Sequence, residues 1–164
     1  NVLCGNLALN DIPNVRPINK FVRASEQAPV REIFVGNSSE PQFMKLDDLN
    51  LDACQFIKID VDGNELDVIK SGEAMISEFE PVLYFENDRK EVSHDLLDYM
   101  LSSEYRLYWH PAPIFAPDNF FGNPVNHWEN NIISAMILGI PPGSEAVING
   151  LDQITDADDW RLPD

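Results

Sequence analysis

The chain is short of bases. Eleven Lys and Arg stand against 28 Asp and Glu, a net charge of −17 over 164 residues. A surface of that sign repels phosphate backbones and anionic lipid, which argues against nucleic acid or a membrane as a partner. The excess is otherwise a well-solvated face. Glycine is scarce too, and the eight present never fall as G-x-G, so no glycine-rich phosphate-binding turn can be read. The two cysteines, Cys4 and Cys54, form no metal-ligand spacing. Cys54 reads as a small buried hydrophobe, and a reducing cytoplasm is the expected location. No apolar run approaches the roughly 18 residues of a membrane span, and no signal-peptide pattern opens the chain. What remains is a hydrophobic content of 44%, that of an ordinary globular domain with a respectable core.

Against this background one stretch stands out. Residues 56–71, FIKIDVDGNELDVIKS, pass from an apolar run into two carboxylates and a glycine, then into a helical pattern. Phe56, Ile57, Ile59 and Val61 are nearly continuous, the mark of a strand buried on both faces. Asp60 and Asp62 fall where it ends, and Gly63 permits a sharp turn. Leu66, Ile69, Ile76 and Phe79 then recur at helical spacing. A strand that ends in acids and returns as a helix is half of a βαβ unit. Open α/β sheets bind ligands outside the carboxyl ends of such strands. The acids sit where a substrate or cofactor belongs.

Elsewhere the pattern predicts a helix over 3–10, an edge or irregular strand over 15–22 that tolerates Pro17, and short strands over 30–35 and 43–49. Further strands are expected over 82–85, 105–109 and 132–140, with a helix capped by Ser93 running to about 103. Between Trp109 and Ile132 lies a long connection rich in proline, asparagine and aromatics. Loops that long are functional or disordered, and the aromatics argue against disorder. It reads either as a cap over a ligand pocket or as a surface loop tacked down by its own rings. Residues 1–142 form the expected domain and 143–164 an acidic tail with Trp160 as its large anchor.

IKIDVDGNELDVIKSG followed by EPVLYFEND resembles the signature of the FkbM family of S-adenosylmethionine-dependent methyltransferases. Asp60, Asp62 (where Glu is commoner), Gly63, Glu65, Gly72, Pro81 and Glu86 fall on that signature. LDDL at 46–49 and NLALNDIPNV at 6–15 extend the likeness over most of 6–87. The resemblance implies a Rossmann-like α/β fold, S-adenosyl-L-methionine as cofactor, and methyl transfer to a hydroxyl oxygen of a sugar or small metabolite. It places Asp60 and Gly63 in cofactor binding. It also implies two earlier strands and a glycine-rich turn that this sequence does not carry. The chain thus resembles the carboxyl-terminal two-thirds of such a domain and is expected to be inactive alone. In the family's sheet order 3-2-1-4-5-7-6, strands over 15–22, 56–61, 82–85, 105–109 and 132–140 would be the third to the seventh. The block 46–140 should then keep the order 4-5-7-6 with its last strand antiparallel. Residues before about 30 should lie atypically, and the bare edge of 56–61 offers a surface for a homodimer.

Within this reading Asp60, Asp62, Glu86 and His110 are the candidate catalytic residues. Methyl transfer from a sulfonium needs an in-line nucleophile, usually activated by a base, among acids that tolerate the positive charge. Asp62 reads equally as an N-cap of the following helix, and Glu65 as an acid favoured by the helix dipole. Lys58 reads as a snorkelling stem. His110 is either a base at the end of its strand or a loop histidine with a satisfied hydrogen bond. His94 and His127 have no nameable partner, and no metal site is expected. Two other classes stay open: a D-x-D glycosyltransferase-like sugar-nucleotide binder, whose acids hold a divalent metal, and a non-catalytic interaction domain. An EF-hand fails on spacing, because the glycine comes too early in the loop.

Overall fold

A computed structural model describes residues 2–25, 42–127 and 132–162. Its elements are α1 (Val2–Leu9), β1 (Phe21–Val22), β2 (Phe43–Met44), a 3-10 turn (Asp47–Leu49), β3 (Phe56–Ile59), α2 (Glu65–Lys70) and α3 (Glu73–Phe79). There follow β4 (Val82–Glu86), α4 (Lys90–Ser102), β5 (Arg106–Pro113), β6 (Ile133–Ile140) and β7 (Asp152–Ile154). Five strands form one sheet in the order β3-β4-β6-β5-β7. β3 runs parallel to β4, β6 runs antiparallel to both β4 and β5, and β7 runs antiparallel to β5. The order and directions from β3 to β6 match the arrangement expected for that block. β1 and β2 pair in parallel as a separate ladder, and no strand lies along the outer edge of β3 among the described residues.

Register decides which side chains share a face. Leu83, Phe85, Leu107, Ile137 and Ile154 are at most 1% exposed, and they pack with Val68, Ile69, Leu96, Leu97 and Met100 of α2 and α4. Each such side chain stabilises the fold by about 1.5–3 kcal/mol on full burial. The opposite face carries Lys58, Tyr84, Leu138 and Tyr108 in one register row. It is only partly covered, since Lys58 is exposed and Tyr84 half-buried.

Several elements depart from the sequence pattern for local reasons. The strand expected over 15–22 shortens to β1, because Pro17 has no N–H for a ladder. Of the strand expected over 43–49, β2 remains, and the LDDL element turns instead. The helix expected from Leu66 to Phe79 breaks at Ser71 and Gly72. There Ser71 Oγ donates to the Val68 carbonyl and accepts the Leu46 N–H, while a Cβ on Gly72 would stand 2.9 Å from Leu46 Cβ. The approach of Leu46 therefore requires glycine. Ser93 is not a cap: α4 begins at Lys90, and Ser93 lies buried within it, accepting from Asn87 Nδ2 at 2.9 Å.

β5 outruns its expected end and takes in Pro111 and Pro113. β7 pairs only with Leu107–Trp109, so beyond that point the missing proline N–H groups face an open side. The acidic segment after Gly143 supplies β7, and Arg106 donates to the Ser144 and Ala146 carbonyls. Arg161 clamps it further through Asp152 and Asp159. The strand expected over 30–35, and Trp128, lie outside the described residues. Among those described, no helix is long and apolar enough to cross a membrane.

Candidate functional site

The turn after β3 is built by a buried carboxylate. Glu65 is 3% exposed, and its Oε1 accepts the N–H groups of Val61 at 3.1 Å and Gly63 at 3.2 Å. Burial raises its pKa, backbone N–H groups pull it back down, and Asp88 pushes it up again. These bonds pin the loop that carries Asp60 and Asp62. The helix-dipole reading of Glu65 understated it, although a glutamate reaching back over a helix start is a known sequence signal. Gly63 sits at φ 92°, and a Cβ there would meet Arg89 Cγ at 3.1 Å. It answers both a left-handed turn and a close neighbour.

Asp62 is not the N-cap. α2 starts after Asn64 with no side-chain cap, and the Asp62 side chain is 89% exposed, with Arg89 Nη2 3.8 Å away. Its φ of 52° explains the failure, since a cap residue takes extended backbone. Asp60 pairs with Lys58 Nζ, both side chains being about half exposed. Exposed pairs of this kind contribute about 0–1 kcal/mol. Lys58 is thus a partner of Asp60, which the snorkelling reading missed.

The sheet brings the remaining candidates into one row. Ile59 pairs with Phe85, so Asp60 follows beside Glu86. Glu86 and His110 both pair with Met136, from opposite sides, and so share a face about 10 Å apart across two strand spacings. Ser134 Oγ donates to Glu86 Oε1 at 3.3 Å. Burial, then the charges of Asp88 and Asp60, push the Glu86 carboxyl up to about 7, against the Ser134 hydrogen bond. His110 Nδ1 lies 2.7 Å from the Tyr84 hydroxyl. His94 remains outside this group, exposed beside Asp95 and Asp158.

Folded Glu86 holds its proton up to about pH 7, against an ordinary value of 4.5. Over that window the folded chain binds more protons than the unfolded one, so this group's contribution to stability is lost as pH rises. Glu86→Gln should remove that part of the decline. Thermal unfolding at a series of pH values should show the variant gaining on the wild type between about 4.5 and about 7. Parallel profiles would contradict the assignment.

Between the β1–β2 ladder and β3 opens a cleft of about 1310 Å³. Lys20, Phe21, Val22, Arg23 and Phe43 line one wall, Ile57 to Asp62 the other, and Asn64, Asp67, Arg89 and Glu91 add polar groups. It exceeds the roughly 300–1,000 Å³ of most small-molecule sites. Beyond β5, Phe120 and Phe121 stack edge to face at 5.2 Å yet are 95% and 90% exposed. The rings lean on each other and do not tack the loop to the domain. Among the described residues, no three side chains of the metal-ligating types gather around an ion-sized space.

A mixed α/β domain whose five-stranded sheet collects acids at its strand ends is compatible with a methyltransferase-like fold. The model of the methyltransferase FkbM domain matches residues 12–107, more than half of the chain, and the chain belongs to the FkbM methyltransferase family. No match was found among curated proteins and none among solved structures.

Proposed function

We propose that this domain transfers a methyl group from S-adenosylmethionine to a hydroxyl oxygen of a sugar or small metabolite, on a Rossmann-like sheet with its last family strand reversed. The observation that carries the reading is Glu86: a carboxyl titrating near neutrality, beside Asp60, at a strand end of an FkbM domain. A base works best when its pKa lies near the operating pH. Bound cofactor supplies an electrophilic methyl group. The carboxylates of Asp60 and Asp62 fit the cationic end of that cofactor, and Gly63 allows close backbone approach. Glu86 receives the proton of the acceptor hydroxyl. Nothing in the sequence offers a G-x-G turn for the nucleoside, so the 164 residues alone are expected to bind the cofactor weakly. Free Cys4 and Cys54 suit a reducing cytoplasm. The outer edge of β3, unpaired among the described residues and with Phe56 55% exposed, is the surface through which a second copy would pair.

Calorimetric titration of the protein at its full natural length separates the readings. Heat on adding S-adenosylmethionine, without metal, supports methyl transfer. Heat only with a nucleotide sugar and a divalent metal would overturn it in favour of the D-x-D reading, and heat with neither would favour an interaction domain.

A further inference from the structure

Tyr84 was not singled out by sequence, and its partner decides what His110 can do. The two residues stand on strands separated by β6: Tyr84 pairs with Leu138, and His110 with Met136. Both therefore project from the partly covered face, and the tyrosine reaches diagonally across β6. Its hydroxyl meets His110 Nδ1 at 2.7 Å, with the ring planes tilted by 46°. That separation is the usual length for a hydroxyl donor and lies at the short limit of the roughly 2.7–3.2 Å range found when an N–H donates. Burial also raises the Tyr84 pKa, partly opposed by Lys58, which keeps the phenol protonated and able to donate. A neutral imidazole that accepts at Nδ1 carries its proton on Nε2.

We propose that Tyr84 is the positioning residue of an acceptor-binding subsite: its O–H donates to His110 Nδ1, fixes the Nε2–H tautomer, and makes His110 a donor to the acceptor's oxygen while Glu86 takes the proton. The acceptor's identity rests on the methyl-transfer reading above; the tautomer does not. The hydroxyl oxygen forms the new bond to the methyl carbon as the carbon–sulfur pair stays on sulfur, and its proton passes to the Glu86 carboxylate. His110 is then no base. A fixed N–H donor opposite a carboxylate selects a hydroxyl and disfavours an ammonium, which offers no lone pair to Nε2–H.

The test is long-range proton–nitrogen correlation spectroscopy on the isotope-labelled protein, recorded on the alkaline plateau of the imidazole signals. His110→Asn identifies the His110 resonances among those of the three histidines. The expected spectrum shows Nε2 protonated and Nδ1 bare as a single tautomer, and Tyr84→Phe brings in the Nδ1–H form. A wild-type spectrum dominated by Nδ1–H would overturn the proposal, as would an unchanged tautomer ratio in folded Tyr84→Phe. Should that variant fail to fold, the wild-type spectrum decides. Neither readout needs cofactor, so missing methyl transfer would count against the function and leave the subsite geometry standing.

Discussion

Glu86→Gln should lower turnover by about 10²–10⁴-fold, the range that a positioned acid–base group contributes. The glutamine keeps the volume and can still accept from Ser134, so the β4–β6 register is expected to survive. What disappears is the proton acceptor. A carboxyl at about 7 is half ionised near neutrality, and burial, then the charges of Asp88 and Asp60, keep it from ionising earlier. Turnover in wild type should rise with the ionised fraction through that value. A folded Glu86→Gln protein with near-normal turnover would show that the carboxyl is structural.

Asp60→Asn should remove most of the activity through cofactor affinity, by roughly 10- to 100-fold, the worth of a lost charge-assisted hydrogen bond. Asp60 lines the cleft, follows the buried Ile59 at the end of β3, and is held by the turn that Glu65 pins. Its ion-pair partner, Lys58, is itself about half exposed. Water already competes for that pair, so Lys58→Met should change the rate little. The contrast between the two variants isolates the carboxylate from its pairing. Equal losses in both would mean that the Lys58–Asp60 pair acts as a unit, and no loss in either would make Asp60 an exposed surface acid.

How far the sequence reached follows from the range of the interactions involved. β4 and β6 were legible because their burial is written as apolar runs around Leu83 and Ile137. The run at Ile57 located β3, but the expected burial on both faces fails, since β3 lies at the end of its sheet with Phe56 and Lys58 exposed. The acids at the ends of β3 and β4 were legible for the same reason, since a strand's end is a local event. The break between α2 and α3 was not, because Gly72 is demanded by Leu46, on a segment that the helical periodicity does not contain. The roles of Glu65 and Ser93 likewise depend on a turn and on Asn87 closing onto them. Tyr84 and His110 meet only because β6 inserts between β4 and β5, a consequence of topology that no window of sequence displays. The exposure of Phe120 and Phe121 is a further case: aromatic composition suggests a cap or a loop tacked down by its rings, and these two rings stack on each other in solvent.

The most direct measurement is transfer of an isotope-labelled methyl group by the protein at its full natural length, followed by mass spectrometry across a panel of sugars and hydroxylated metabolites. The predicted result is label on an oxygen of one acceptor class, S-adenosylhomocysteine formed in equal amount, and loss of both in Glu86→Gln. Undiminished transfer by the Glu86→Gln protein, or label found on nitrogen with every hydroxyl acceptor untouched, would contradict it.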